Sequence, residues 1–555
     1  TSLTETYDNA NVGSGKTLSV ATYTVNDGNG GLNYTVTLVT NTNGLITPLA
    51  PSSLAVTAGS AYGLNFTWTN NAGNVDGYKL ERATDAAFTQ NVTVVATPSS
   101  TSTTDVPATG SIYYYRVRTT QNGVDSGNSV SVTALALPGT GGIAHQYGLS
   151  LDATGTTVQV SDYTPANSTT LNYSVPMADL SALTLSGGPL ADQLTLDLSH
   201  GNPLPTGGSS FDGLAGTDHL ILTGSLNGQN LSLNATQLQI GSRTLNYSNL
   251  ETLLAQTDLG ATGTRPDLQI SQATLISPSS QTLGQLTLNP GGTVQIAALG
   301  SRQLDVNTPV FAGGTLDLAD NQMLAHSLAQ PDLQAALFSG YALGAWTGTG
   351  LISSTARTAT GRGLGYLSGT FYNALHADST LAAGDTIVQY TWQGDVNLDH
   401  QIAAIDFAQL DVAQLKVAGG TPNTGFIWLR GDFNYDGQIT TADFTAINAA
   451  YAAQNTPPLA QASTPAAAPM ITTAAPLAAA VTSTAVVTLA ASPVTAPVAA
   501  PTLLPAPANV ATPATEQEPD SPSSPEAKRR GQIILAKPLR KQFPPLASTT
   551  LGSGQ

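Results

Sequence analysis

The sequence predicts a mainly β protein of several domains that ends in a small α-helical module and a disordered tail. As far as residue 390, short runs of alternating apolar and polar residues are separated by Gly, Asn, Ser and Thr turns. Two stretches of helical periodicity follow between residues 404 and 454. Beyond residue 456, proline and alanine dominate, so no core is expected there. A length of 555 residues allows three or four domains.

Composition narrows the classes of function. The net charge of −17 argues against a nucleic-acid partner, because the phosphate backbone requires a basic surface. The chain has no cysteine, so neither disulfides nor thiolate chemistry contribute. With 10% charged and 6% aromatic residues, the composition is typical of a β-rich extracellular or bacterial cell-surface protein rather than a cytoplasmic enzyme. The chain begins within a β pattern and without an initiator Met, so we expect it to be part of a longer precursor.

Residues 1–47 are the first predicted unit, a small β module. Val20 to Val25 and Tyr34 to Leu38 alternate as strands do, and the glycines between Asp27 and Gly31 mark a turn. Together with Tyr7-Asp8-Asn9, this pattern resembles the YDG repeat of bacterial haemagglutinin-type surface proteins, in one partial copy. The resemblance implies a structural module without chemistry of its own.

Residues 49–135 show the pattern of a β-sandwich. Apolar residues alternate from Leu64 to Trp68 and again from Tyr113 to Val117, so that one face of each strand would fill a core. This spacing resembles a fibronectin type III domain. The resemblance implies a spacer in which Trp68 and the tyrosines are buried, rather than a unit that binds a ligand through exposed aromatic rings.

Residues 140–390 form the third predicted region. Strand-length alternations recur at intervals of roughly ten to twenty residues, which suits a right-handed parallel β-helix or a stack of sandwiches. The many isolated leucines favour the β-solenoid, because they would form an internal ladder. A short helix is expected from Pro331 to Phe338, beginning at its proline. The predicted strands include Thr157–Val160, Leu171–Val175, Leu194–Leu198, Leu220–Thr223, Leu231–Leu233, Leu238–Ile240, Leu286–Leu288 and Leu316–Leu318.

Two sequence features within 140–390 are candidate sites, and each also has a purely structural explanation. Gly213 to Leu220 nearly matches a calcium-binding nonapeptide, but Leu214 replaces a glycine and only one copy is present, which favours an ordinary turn. A glycoside hydrolase needs two paired carboxylates among aromatic platforms, and the spacing of the acids here singles out no such pair. The available carboxylates are Asp192, Asp197, Asp305, Asp317 and Asp320.

The most specific signal is an acidic loop that occurs twice. The run from Gly394 to Ile402 returns 37 residues later, from Gly431 to Ile439. Each copy places oxygen-bearing side chains at loop positions 1, 3, 5 and 12, a backbone carbonyl at position 7 and Ile at position 8. The predicted ligands are Asp395, Asn397, Asp399, Gln401 and Asp406 in the first loop, and Asp432, Asn434, Asp436, Gln438 and Asp443 in the second.

This donor set suits a hard divalent cation. Calcium takes six to eight oxygens, and three Asp in each loop would otherwise converge without a counter-charge. Two solvated Asp and Asn turns are the alternative, but the shared register favours two calcium ions. The spacing follows the EF-hand pattern with two departures. Asp stands at position 12, and His400 occupies position 6, where the second loop has Gly437, so the second site is expected to be better formed.

A short helix is predicted after each loop, over 404–417 and 441–454, with Phe407 and Phe444 at equivalent positions. A loop followed but not preceded by a helix, duplicated over 391–455, resembles a dockerin type I module. The resemblance implies a small helical domain, folded by two calcium ions, that docks on a cohesin-like protein or anchors the chain to a cell surface or polysaccharide matrix. Dockerins often carry a Ser/Thr pair at loop positions 10 and 11, whereas this chain has Ala404-Ile405 and Thr441-Ala442.

Residues 456–555 are predicted to be a disordered tail. No side chain between Asp443 and Glu516 is charged, and prolines recur throughout. The proline-free stretch from Leu477 to Ser492 is shorter than a membrane-spanning helix requires, so no transmembrane span is expected. The basic residues from Lys528 onward are interpreted as a solvated end.

These patterns favour a bacterial structural or adhesion protein without catalytic residues, located outside the cell and carrying a calcium-dependent docking or anchoring module. The alternative is a secreted polysaccharide-degrading enzyme whose catalytic domain lies in 140–390 and whose dockerin-like module delivers it to a scaffold. A third hypothesis is an adhesin that binds its surface directly through 140–390.

Overall fold

A computed structural model describes residues 2–59, 62–139, 142–260, 263–425 and 427–455, so the predicted tail over 456–555, including Leu477 to Ser492, lies outside the described residues. The described residues are mostly β, in four sheets of three, three, ten and sixteen strands, which agrees with the mainly β prediction. In this part of the chain, no helix has the length and apolar character needed to cross a membrane.

The N-terminal sheet has almost no core. Its antiparallel strands are β1 (Ser2–Tyr7), β2 (Gly13–Thr24) and β3 (Asn41–Ile46). Among the described residues up to 47, only Lys16 is buried, and its Nζ donates to Asn9 Oδ1 at 2.6 Å. The run from Tyr34 to Leu38, predicted as a strand, is not one. Tyr34, Val36 and Leu38 are exposed, so the alternation has no neighbouring surface on which to pack.

A seven-stranded sandwich follows. Strands β4, β5 and β8 form one sheet, and β7, β6, β9 and β11 lie side by side in the other. Trp68 is buried as predicted and meets Tyr78 edge to face at 5.2 Å. The strands are β4 (Ser52–Ala58), β5 (Leu64–Thr69), β6 (Gly77–Ala83), β7 (Thr93–Ala96), β8 (Ser102–Asp105), β9 (Ser111–Gln121), the short β10 (Val124–Asp125) paired with β9, and β11 (Val132–Leu137).

The next strands wind between two sheets in which most of their pairs are parallel, β12–β13 and β13–β14 being antiparallel, and we call residues 146–352 the coil region. Consecutive strands mostly alternate between the sixteen-stranded and the ten-stranded sheet. The strands are β12 (Gln146–Leu151), β13 (Thr157–Thr164), β14 (Thr169–Pro176), β15 (Leu180–Ser186), β16 (Gln193–Asp197), β17 (Ser209–Asp212), β18 (His219–Thr223), β19 (Leu231–Leu233), β20 (Gln237–Ile240), β21 (Arg243–Ser248), β22 (Thr252–Ala255), β23 (Leu268–Ile270), β24 (Thr274–Ser277), β25 (Gln281–Leu288), β26 (Thr293–Ile296), β27 (Gln303–Phe311), β28 (Thr315–Asp317), β29 (Gln322–Ala325) and β30 (Gly350–Ile352).

An apolar ladder runs through the coil region because parallel pairing places equivalent residues next to each other. Its members, each buried, are Leu194, Leu220, Leu253, Leu275, Val294, Leu316 and Leu351. From Leu253 to Leu275 one turn of the coil takes 22 residues, and each turn contains two strands. The sequence interval of roughly ten to twenty residues therefore mixed half turns with whole turns.

The sandwich and the coil region share a sheet. Strand β11 pairs antiparallel with β9 of the sandwich and parallel with β15 of the coil region. The sixteen-stranded sheet therefore continues from one into the other, and the short strand β20 interrupts its parallel order with two antiparallel neighbours, β19 and β21.

The far end of the coil region carries the helices. Helix α1 (Gln330–Tyr341) has its proline in the first turn, as predicted. Strand β32 (Thr386–Trp392) pairs antiparallel with β29 and with β31 (Arg362–Ser368), so β31 is the last strand of the sixteen-stranded sheet. The remaining helices are α2 (Gly369–Leu375), α3 (Ala404–Ala418) and α4 (Thr441–Gln454), with a 3-10 turn at Trp428–Arg430.

Candidate metal centre

The two acidic loops lie at the start of the two last helices. The first loop joins β32 to α3, and the second joins the 3-10 turn to α4. The carboxylate at position 12 fixes each helix start, because Asp406 Oδ2 accepts from Ala403 N at 2.8 Å and Asp443 Oδ2 accepts from Thr440 N at 2.9 Å. We call residues 394–455 the two-loop module.

The same carboxylates close each loop on itself. Asp406 Oδ1 accepts the N–H of Val396 at 2.9 Å, and Asp443 Oδ1 accepts the N–H of Phe433 at 2.9 Å. Both Asp side chains are fully buried. Positions 2 and 12 are therefore joined identically in the two copies, as the duplication predicts.

The carboxylates at position 1 are also fully buried but differ in their partners. Asp395 accepts from Asp399 N at 3.1 Å, from His400 N at 2.8 Å and from the hydroxyl of Thr391. Asp432 Oδ2 accepts from Gly437 N at 3.0 Å and from Gln334 Nε2 at 3.3 Å. Asp432 Oδ1 is buried and has no hydrogen-bond partner.

Positions 3, 5 and 7 form the outer rim of each loop. The amide of Asn397 donates to Asp399 Oδ2, and the amide of Asn434 donates to Asp436 Oδ2, both at 2.9 Å. The backbone N–H of Gln401 and Gln438 donates to the carboxylate two residues earlier, at 2.9 and 2.8 Å. In each loop, hydrogen bonds therefore link the predicted ligands at positions 3, 5 and 7 to one another.

Burial makes the inner carboxylates difficult to ionise. Desolvation raises the pKa of Asp395 to about 6 and the pKa of Asp432 to about 7, with neighbouring loop carboxylates adding to both shifts. It also raises the pKa of Asp406 and of Asp443. In the described ranges, no Lys or Arg side chain forms an ion pair with any of the four.

The donor chemistry fits a hard cation, whereas the arrangement of the carboxylates is not that of an assembled site. Among the described residues, no three His, Cys, Asp or Glu side chains gather as a metal-binding group. Both oxygens of each position-12 carboxylate, and those of Asp395, accept hydrogen bonds from within the loop. Within the two loops, as far as the structure describes them, Asp432 Oδ1 is the buried carboxylate oxygen that lacks a partner and that a cation would directly satisfy. The assignment of ten ligands and two calcium ions stays a prediction.

Each loop of the two-loop module packs against the helix that follows the other loop. Gly394 packs on Ile447 of α4, where an added Cβ would lie 2.5 Å from the Ile side chain, and Gly431 packs on Leu410 of α3 at 2.6 Å. Both glycines have positive φ, +124° and +98°, so no other residue suits either position.

Two amide side chains that sequence reasoning missed hold the Ile at position 8. Gln454 accepts from Ile402 N at 2.6 Å and donates to its carbonyl at 3.1 Å. Asn423 does the same for Ile439, at 2.8 and 3.1 Å. Gln454 is the last residue of α4, whereas Asn423 lies between α3 and α4, so the 37-residue repeat did not relate them.

The other candidate residues serve the coil region. Asp218, within the nonapeptide-like run, accepts from Asp192 N at 2.7 Å, and Asp192 accepts from His145 N at 2.6 Å, so the two carboxylates bridge successive turns. Asp305 forms an ion pair with Arg265 at 2.8 Å. The carboxylates of Asp197, Asp317 and Asp320 each accept backbone N–H groups.

No family model matches the chain, and no curated protein sequence matches it. Solved structures similar to parts of it include fibronectin type III-like domains. An Fn3-like protein from Clostridium thermocellum is 34% identical with a TM-score of 0.14, over 16% of this chain and 92% of that chain. The fibronectin type-III domain of human fibronectin type III domain containing protein 3 is 17% identical with a TM-score of 0.16, over 18% of this chain and 96% of its own. The dockerin and YDG resemblances have no counterpart among these matches.

Proposed function

We propose that this chain is a bacterial structural or adhesion protein, located outside the cell or on its surface, whose two-loop module binds two calcium ions and serves docking or anchoring. The ligands are the ten residues predicted from the repeat, from Asp395 to Asp406 and from Asp432 to Asp443. Calcium acts here as a structural ion that neutralises buried carboxylates, and no catalytic residue is involved.

The observation that carries the proposal is the buried, unpartnered oxygen of Asp432. A carboxylate oxygen without a partner is costly inside a protein, and a cation removes that cost. The side chains predicted as ligands of this loop offer oxygen atoms, the donors that calcium prefers. The four fully buried carboxylates lack a basic partner, so a cation would also offset negative charge in the first loop, although the oxygens of Asp395 already accept hydrogen bonds there.

Docking is supported by the outer surface of the two helices. Ile405 and Leu415 on α3 and Tyr451 on α4 are exposed. Exposed large apolar side chains such as these are available for contact with a protein partner. The partner that we propose, from the dockerin resemblance, is a cohesin-like protein or a polymer of the cell surface.

The test is calorimetric titration of the full chain with calcium after chelation. Two equivalents are expected, and Asp432→Ala should remove the second equivalent and open α4 at calcium concentrations where the parent stays folded. Unchanged stoichiometry in Asp432→Ala would show that the ligand assignment is wrong. Docking is tested separately, by retention of the full chain on a panel of cohesin domains and on purified cell-wall polymer, each with and without chelator.

The polysaccharide-hydrolase alternative gains no support from the geometry. Four of its five candidate carboxylates, all except Asp197, accept hydrogen bonds from a distant segment of the coil region or its flanks, and Asp197 accepts one from Ser199 N within its own bend. Hydrolysis of a polysaccharide panel by the full chain would restore that alternative.

A further inference from the structure

We infer that the two-loop module is the end cap of the sixteen-stranded sheet and that cations in its loops keep the edge of β31 covered. The cap itself is inferred from geometry alone. Its control by cations rests on the proposed calcium binding. It assigns the inner surface of the module to an intramolecular interface, whereas docking uses the outer surface of the helices.

The edge of β31 is closed by a side chain of the second loop. Leu364 N donates to the hydroxyl of Tyr435 at 3.3 Å, and the same hydroxyl donates to Leu364 O at 3.0 Å. One tyrosine therefore replaces the missing neighbouring strand at this residue. An uncovered sheet edge presents such N–H and C=O groups to any other strand, which is why proteins protect edges.

Glycines on β31 make room for this cover. Gly363 lies against Tyr435 and Trp346, and Gly365 lies against Leu398 of the first loop and Trp428 of the 3-10 turn. A Cβ at Gly365 would overlap Leu398, so a larger residue there would displace the first loop. Both halves of the two-loop module thus pack on the last strand of the sheet.

Aromatic rings and buried amides extend the same interface. The ring of Tyr435 stacks on Trp428 at 5.7 Å and meets Tyr341 of α1 edge to face at 5.4 Å. Gln389 of β32 donates to Leu398 O at 3.0 Å, and Gln393 donates to Phe433 O at 2.9 Å. The rings of Trp428 and Tyr435 belong to one continuous hydrophobic core that joins the coil region to the module.

The cap is tied directly to the ligand positions. Tyr435 stands at loop position 4, between the predicted ligands Asn434 and Asp436, with φ at +65°. Its hydroxyl reaches Leu364 only while the loop keeps this backbone conformation. Gln334 of α1 also contacts the carboxylate of Asp432. Opening the second loop would therefore withdraw the hydroxyl from the β31 edge.

The experiment is hydrogen exchange with mass spectrometry on the full chain, in millimolar calcium and in chelator. Peptides covering 362–368 should exchange faster in chelator, while peptides covering 180–186 of β15 should not change. Light scattering in chelator should show self-association through the uncovered edge. If two calcium ions bind by calorimetry but exchange at 362–368 is the same in both conditions, calcium control of the cap is overturned and the proposed function stands.

Tyr435→Phe tests the cap without reference to calcium. The variant keeps the ring and removes only the hydroxyl, so exchange at 362–368 should rise roughly tenfold, as expected for one lost hydrogen bond. Tyr451→Phe, on the exposed side of α4, is the matched control and should leave 362–368 unchanged. If Tyr435→Phe also leaves it unchanged, the cap is overturned even where calcium binds. If no calcium binds but Tyr435→Phe raises exchange, the proposed function fails and the cap stands.

Discussion

The two loops share a backbone frame but differ in how far the protein itself satisfies their carboxylates. In the first loop, three donors surround Asp395, including a hydroxyl from Thr391. The equivalent of Thr391, 37 residues later, is Trp428, which has no hydroxyl to offer, and Asp432 keeps an unpartnered oxygen. The duplication therefore reproduces the geometry of the loop and not its need for a cation. We expect the second loop to bind calcium more tightly and to suffer more from its removal.

The largest effect is expected from Asp432→Asn, which keeps the shape of the side chain and removes its charge. Calcium affinity at the second site should fall by at least roughly tenfold, because affinity follows the number of charged ligands. In chelator at neutral pH the substitution should instead stabilise α4, by about 1–3 kcal/mol, because the buried charge of Asp432 is removed while the shape of the side chain is kept. Calorimetry and hydrogen exchange of α4 measure the two effects.

Asp411→Asn is the matched control for that change, since Asp411 is an exposed carboxylate on α3. Asp411→Asn should change neither the calcium affinity of the second site nor the stability of α4. If Asp432→Asn destabilised α4 equally with and without calcium, the free oxygen of Asp432 would have no connection with a cation.

The second effect is on the free energy of unfolding, whose dependence on pH should differ between the two loops when calcium is absent. The folded pKa values of Asp395, about 6, and Asp432, about 7, lie above the ordinary value of 3.8 because both groups are buried. Between pH 4 and the folded pKa the folded state holds more protons than the unfolded state, so the free energy of unfolding falls as the pH rises. Each unit of pKa difference corresponds to about 1.4 kcal/mol.

The free energy of unfolding should therefore keep falling to a higher pH in the second loop than in the first. Opening free energies of α3 and α4 in chelator, from hydrogen exchange corrected for its intrinsic pH dependence, measure this. Saturating calcium should abolish the fall at neutral pH. Opening free energies in chelator that rise with pH would contradict the burial of charged carboxylates without a counter-ion.

Local patterns in the sequence predicted the strands and helices better than they predicted which strands pair with each other. The strand predicted at Leu231 to Leu233 is β19 with the same bounds, and the predicted helix over 441–454 is α4. Both depend on periodicity within a few residues. The pairing of β11 with β15 joins segments nearly fifty residues apart, and nothing in either strand identifies the other. Tyr34 to Leu38 shows the converse, because alternation alone makes no strand where no partner sheet is available.

The same limit applies to the candidate site. The repeat identified the loop positions because the spacing of donor oxygens is a local property of the chain. It did not indicate that Tyr435 would bond to Leu364, which lies 71 residues earlier, or that Thr391 would complete the first loop. Those contacts depend on how β31 and β32 pair, which only the folded sheet determines.

A third and smaller effect is expected from Thr391→Val. The buried hydroxyl that bonds to Asp395 is lost while the strand environment still suits the side chain. Without calcium, α3 should lose about 1.5–3 kcal/mol, the usual contribution of a hydrogen bond to a charged group. The first loop would then depend on calcium as the second does, so the loss should shrink when calcium is present. Thr170→Val, on the exposed part of β14, is the control. Equal losses with and without calcium would show that the hydroxyl does not substitute for a cation.

The smallest effect concerns position 6, where each loop adopts a left-handed conformation, His400 at φ +65° and Gly437 at +77°. An L-residue in this region costs roughly 1–2 kcal/mol, and glycine avoids that cost but loses roughly 0.5–1 kcal/mol of backbone freedom on folding. His400→Gly should therefore stabilise the first loop by about 0.5–1 kcal/mol and raise its calcium affinity by the corresponding few-fold. Gly437→Ala should destabilise the second loop by a similar amount. Each of the two substitutions should therefore reduce the difference in calcium affinity between the sites. Site-resolved calcium titration of both variants measures this. If His400→Gly weakened the first site, the imidazole would be contributing to the loop more than its backbone strain costs, and the difference between the loops would have to come from Thr391 and Asp432 alone.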